Sequence, residues 1–158
     1  MKLYIKQKVF SIKGKFNIFD EAGDEKYTAE GEIFTLGRKL HVCDLNGNEV
    51  IFIRQKIVSL LPRYEISVQN SAPVEIVKKF TLLMHRYEIP EWDIEVEGNF
   101  IAHKYKISQR GQEIAEVDKE YLSWGDTYTI NIYDPRNELI ALATVLVADC
   151  CMESAKND

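Results

Sequence analysis

A chain of 158 residues with 46% hydrophobic and 28% charged side chains is long enough for one filled core, and it sits too close to the globular average for a disordered arm. Its net charge of −5 argues against a nucleic-acid partner, because phosphate binders carry a basic excess. No apolar run with a small-residue cleavage site follows Met1-Lys2-Leu3, so a cytoplasmic protein is expected, with the odd set Cys43, Cys150 and Cys151 as reduced thiols.

From the N-terminus the dominant period is two. Leu3–Phe10 opens the series, followed by Phe16-x-Ile18, Leu40-x-Val42, Tyr64-x-Ile66-x-Val68, Trp92-x-Ile94-x-Val96 and Tyr128-x-Ile130-x-Ile132, each with large apolar side chains on one face. Turn residues fill the gaps at Asp20-Glu21-Ala22-Gly23, Asp44-Leu45-Asn46-Gly47, Asn70-Ser71-Ala72-Pro73, Gly98-Asn99 and Arg110-Gly111. Partner strands are expected at Tyr27–Ala29, Val50–Lys56, Val74–Phe80, Tyr105–Ser108 and Glu113–Lys119. About twelve strands result, more than an open sheet usually carries without curling or closing.

The C-terminus abandons the period. Leu139 to Ala148 is nearly all apolar and follows Asp134-Pro135, a pair suited to a helix N-cap and first turn, so a helix over Glu138–Cys151 is expected. At about 14 residues it falls short of the ~20 that span a bilayer. A helix apolar on every side must be covered by protein, and here the cover is β-sheet. Asp149 is expected at the rim, where the helix leaves, and Glu153–Asp158 as a flexible tail after a single domain over residues 1–152.

Chemical motifs are sparse. His41 and Cys43 alternate on the face opposite Leu40 and Val42 and lack an orienting third group, so no catalytic role is assigned. His41, His85 and His103 have no metal-ligand spacing, and the Asp20 and Asp44 loops read as plain turns rather than calcium loops. Glycines are scattered singly, with no phosphate-binding loop. No enzyme activity, metal or cofactor is expected. The charge, however, is uneven. Between Arg54 and Arg86 six basic residues, Arg54, Lys56, Arg63, Lys78, Lys79 and Arg86, meet only Glu65 and Glu75. If their strands are neighbours, these six are the candidate contacts for an anion or lipid headgroup.

Several strings together resemble one family: Leu3-Tyr4-Ile5-Lys6-Gln7-Lys8; Phe16-x-Ile18-x-Asp20-x-x-Gly23 and its parallel Leu40-x-Val42-x-Asp44-x-x-Gly47-x-Glu49; Leu61-Pro62-Arg63-Tyr64-x-Ile66; and Trp124-Gly125-Asp126-x-Tyr128-x-Ile130-x-Ile132 before the helix. The chain is similar to the LURP-one-related proteins, which share the tubby C-terminal-like architecture with tubby proteins and phospholipid scramblases. The resemblance implies a closed barrel of about twelve strands around a buried apolar C-terminal helix. It implies little about chemistry; with no catalytic constellation among the residues, the expected function is a non-enzymatic binding or scaffold domain for anionic lipid or a protein partner, cytoplasmic or peripheral to a membrane and without a transmembrane segment. The competing reading is a small-ligand carrier or barrel enzyme with an internal cavity, and whether the helix fills the barrel decides between them.

Overall fold

Alternating apolar residues fit the pleat of a strand, and the Ile and Val that dominate the alternation pack well on its surface. In a computed structural model of the protein, which describes residues 1–7, 14–32, 36–58, 63–80, 85–100, 102–122 and 125–156, this pattern gives twelve antiparallel strands. They are β1 (Lys2–Gln7), β2 (Lys15–Phe19), β3 (Glu25–Gly31), β4 (Lys39–Asp44), β5 (Glu49–Lys56) and β6 (Arg63–Val68). The series continues with β7 (Val74–Phe80), β8 (His85–Ile89), β9 (Ile94–Asn99), β10 (Lys104–Gln109), β11 (Gln112–Leu122) and β12 (Gly125–Ile132). Each pairs with its sequence neighbours, and β1 pairs with β12, Leu3 opposite Ile130, to close a barrel. Closure on itself pairs the first strand with the last, which removes the open edge of a sheet as a template for another chain.

Parity fixes what faces inward. Leu40 and Val42 of β4, Ile51 and Ile53 of β5, and Tyr64, Ile66 and Val68 of β6 are buried, while His41, Arg54 and Glu65 between them face outward. The inward set merges into one core with the helix α1 (Glu138–Lys156), in which Ala141, Leu142, Ala143, Val145, Leu146 and Val147 are at most 1% exposed. Its 19 residues span about 28 Å. The Thr144 hydroxyl, the polar side chain in this stretch, donates to the Ile140 carbonyl at 2.7 Å and so enters the core satisfied.

Polar contacts hold the helix at both ends. Where it enters, Glu138 accepts from the Tyr27 hydroxyl at 2.9 Å and pairs with Lys26 at 2.6 Å. Toward its C-terminus, Tyr64 at the start of β6 donates to the Cys150 carbonyl at 3.2 Å and shares a 2.6 Å hydrogen bond with Ser154. These contacts define two ends of the barrel. The entry end carries the β2–β3 and β4–β5 turns, and the exit end carries the finishes of β1, β3, β5, β7, β9 and β11.

Four expectations shift. Trp92 does not open a strand: Pro90–Trp92 is a 3-10 turn closed by Asp93 in the left-handed region (φ 51), so β9 begins at Ile94 and Trp92 packs half-buried on the core. Asp134 caps a 3-10 turn, Pro135–Asn137, rather than the α-helix itself, accepting from the Arg136 amide at 2.9 Å. The helix runs past Cys151 to Lys156, which draws Asp149 inside, 3% exposed, instead of leaving it at the rim. There it lies close enough to Tyr87, Tyr105 and Cys151 to raise the pKa of each, although burial is the larger cause and pushes the Cys151 thiol up to about 12. Lys78, which works against the shift at Cys151, sits on the inward parity of Val74 and Ile76, half-buried, so Lys78 and Lys79 do not share a face. None of Cys43, Cys150 and Cys151 is in a disulfide. The strand extension to Phe10, the strings at Leu61-Pro62 and Trp124, and Asn157–Asp158 lie outside the described residues.

Leu142→Ala or Leu146→Ala should cost about 2–5 kcal/mol each by urea unfolding, as cavities at the centre of a closed core. Gly98 has a φ of +150 and faces β10 so closely that a Cβ would stand 2.5 Å from the Lys104 carbonyl oxygen and 2.6 Å from the Tyr105 Cα. Gly98→Ala should therefore destabilise by about 1–3 kcal/mol in the same assay. Removal of residues 138–158 should abolish cooperative unfolding.

Candidate functional site

The outer wall over β5 to β9 is where the six basic residues were expected to gather. Register brings most of them beside acids rather than beside one another. Arg54 stands opposite Glu65 and bonds it at 2.8 Å, and Lys56 reaches Glu75. Lys79 pairs with Glu88 at 3.3 Å. Arg86, opposite Glu97, lies among three carboxylates, Glu95 at 2.5 Å, Glu97 at 3.1 Å and Glu88 at 3.5 Å. Arg63, opposite Lys56 at the exit end, is exposed and makes no ion pair among the described residues. Lys78 belongs to the interior side. The wall is thus a cross-strand ion-pair ladder, with much of its charge neutralised by glutamates of β6, β7, β8 and β9, and not one open cationic patch.

A second polar cluster is one the sequence did not reveal. His41, outward on β4, is bonded at both ring nitrogens, Nδ1 to Glu49 at 2.6 Å and Nε2 to Glu32 at 2.8 Å, and its ring lies 4.7 Å from that of Phe52. Lys39 completes the set, pairing with Glu32 at 3.1 Å. Burial, the largest single influence, lowers the His41 pKa, but the two carboxylates together outweigh it and the net direction is upward. Cys43 lies two positions away on the same outer face, half-buried, across a register shift between Val42 and Cys43. With both imidazole nitrogens held by carboxylates, His41 is committed as a clamp and not as a base for that thiol.

The two aspartate turns are likewise internally occupied. Asp20 accepts from the amides of Ala22 and Asp24 at 2.9 and 3.0 Å, and Asp44 from those of Asn46 and Asn48 at 2.9 Å each. Their carboxylates organise hairpins. Among the described residues no group of three or more His, Cys, Asp and Glu is arranged to hold a metal ion.

A filled barrel with a twelve-strand wall, a threaded helix and this order of elements can be set beside known proteins. The family described as LURP-one-related matches the chain over residues 1–149. The chain belongs to the LURP-one-related family. The uncharacterized protein YxjI of Bacillus subtilis (strain 168) is 33% identical over 158 residues, spanning 100% of this chain and 98% of that protein. An X-ray structure of a protein from Arabidopsis thaliana superposes with a TM-score of 0.65 at 15% identity, covering 94% of this chain and 90% of that one, and so shares the fold. Among the described residues of this LURP-one-related chain, no helix is long and apolar enough to cross a membrane.

The His41 clamp gives a signed pH dependence. A folded-state pKa above the unfolded value of about 6.5 means that the clamp's stabilisation is complete below that pH and fades as pH rises through the raised value. The melting-temperature gap between the native chain and His41→Gln should accordingly be widest near pH 6 and narrow on the alkaline side. A Glu32→Gln, Glu49→Gln variant should bring the His41 pKa, read by NMR titration, back toward or below 6.5.

Proposed function

We propose that this LURP-one-related chain is a non-enzymatic binding domain that presents the exit end of its barrel to an anionic partner. The reading starts from the interior. The volume that a carrier or barrel enzyme would need for a ligand is occupied by Leu142, Val145, Leu146 and their neighbours on the helix, so recognition falls to the outside and the ends.

The observation that carries the proposal is the segregation of charge along the barrel axis. Where β1 meets β2 stand Lys6 and Lys15; where β3 meets β4, Arg38 and Lys39; where β5 meets β6, Lys56 and Arg63. Lys79 and Arg86 follow at β7–β8, and Lys104 begins β10. The acids at this end are Glu30 and Glu32 near β3–β4, Glu97 opposite Arg86, and Asp118, Glu120 and Asp126 toward the β11–β12 link. At the entry end the balance reverses, with Asp20, Glu21 and Asp24 in one turn, Asp44 in the next, Glu91 and Asp93 around the 3-10 turn, and Asp134 and Glu138 at the helix start, against the bases Lys2, Lys26, Arg110 and Arg136. Ion pairs such as Lys39–Glu32 and Lys104–Asp118 mute individual charges but leave the separation of charge between the ends, and such a field orients an approaching polyanion. Of the six residues singled out from sequence, Lys56, Arg63, Lys79 and Arg86 belong to this end, and Arg63 is the most available.

The test is a titration with inositol hexakisphosphate, a soluble polyanion, followed by amide NMR shifts at low salt. Shifts should cluster at the exit end and weaken as salt rises. Lys15→Glu with Arg63→Glu should reduce affinity about tenfold, taking roughly 1 kcal/mol or less per exposed charge, and Arg110→Glu at the entry end should change it little. No binding at low salt, or equal weakening by the Arg110 variant, would refute the proposal.

A further inference from the structure

We infer that the anionic partner is a lipid bilayer, entered by an apolar tip made of Leu36, Ile57 and Val58 at the exit end. This rests on the cationic docking proposed above and adds what lies beyond the cations. Leu36 is 85% exposed, Ile57 60% and Val58 fully exposed, an unusual concentration for side chains that water disfavours. Single exposed apolar residues are ordinary on protein surfaces, but here three share one spot. Gly37, with a φ of +80, follows Leu36 and lies so near Ile57 that a Cβ on it would stand 3.2 Å from the Ile57 Cγ1. The Gln55 amide donates to the Arg38 carbonyl at 2.7 Å, and the Arg38 amide to the Gln55 side-chain oxygen at 3.2 Å. The tip is thereby clipped across β4 and β5 and holds its apolar groups outward.

Its neighbours decide the occupant. Arg38 and Lys39 follow Leu36 in the chain, Lys56 precedes Ile57, and Arg63 stands opposite Lys56, so the tip projects from a collar of four cations, of which Lys39 and Lys56 are shared with Glu32 and Glu75. A free phosphate or an acidic protein would use the collar and leave the tip in water. An anionic bilayer offers both layers in the right order, phosphates for the collar and the acyl boundary for the tip. The entry end supplies a contrast, for Leu45 is 70% exposed there and Tyr133 50%, yet they sit beside Asp44 and Asp134, and the Tyr133 hydroxyl donates to Glu113, acids that an anionic bilayer repels.

The experiment is co-sedimentation with phosphatidylcholine vesicles, with and without phosphatidylserine, at low and physiological salt. The native chain should bind only the anionic vesicles. Leu36→Ser with Val58→Ser should lower partitioning about fivefold or more, since the lost side chains no longer leave water, with thermal unfolding and inositol hexakisphosphate binding unchanged. Leu45→Ser should have no effect. In a Val58→Trp variant the added fluorescence should shift to the blue and be quenched by brominated acyl chains. Vesicle binding that is indifferent to the double substitution, or a Val58→Trp side chain that is never quenched, overturns insertion while leaving anionic docking standing. Binding of inositol hexakisphosphate without vesicle binding points instead to an acidic protein and overturns the bilayer. So does a self-associated species in sedimentation velocity that the double substitution abolishes. Loss of both binding activities removes the docking proposal itself.

Discussion

Everything in this protein follows from the need to cover a helix that is apolar on all sides. Such a helix has no face to give to water, and a twelve-strand barrel has an inner surface that would be hollow without a filler. Each solves the problem of the other. Small residues at Ala141, Ala143 and Ala148 let the wall approach, while Leu142, Val145 and Leu146 fill the space between opposite strands. The tyrosine contacts at Glu138 and Ser154 then fix how far the helix is threaded. Because the interior is spent on packing, chemistry is displaced to the outer wall and the two ends.

On the wall, opposite charges in adjacent strands form pairs that individually contribute little in water. Their larger effect is on register, because a slip by one residue would turn Arg54 and Glu65 into the apolar interior and expose Ile53 and Ile66. His41 works in the same way but ties in Glu32 beyond the end of β3 as well as Glu49 in the next strand, fastening the approach to the Leu36 tip as a wall pair cannot.

The strands, the buried helix and the outward parity of His41 and Arg54 were legible in the sequence, since a two-residue period and a long apolar run are local signals. Closure of β1 on β12 was not, because nothing local links residues so far apart; it came with the family resemblance. Trp92 was misread because Pro90 and Asp93 interrupt a string that otherwise alternates. The rim position expected of Asp149 failed because composition marks where a segment becomes polar, not where a helix ends. The basic third was over-read, since its partners Glu88, Glu95 and Glu97 arrive from strands that only the register places beside it. For the candidate end, the relevant information is an alternation of links: in an up-and-down barrel every second connection returns to the same end, so cations far apart in the chain become neighbours there.

The place of the helix in chain order has a further consequence for how the protein comes into being. As the ribosome delivers this chain, all twelve strands are made before the segment that fills them, and β1 waits for β12. Until then their inward Ile, Val and Leu side chains have only one another for cover, and half-formed hairpins carry open edges. A fold whose decisive contacts are this distant in sequence assembles slowly and late. The nascent chain therefore carries aggregation-prone edges and apolar surface until the last helix is threaded.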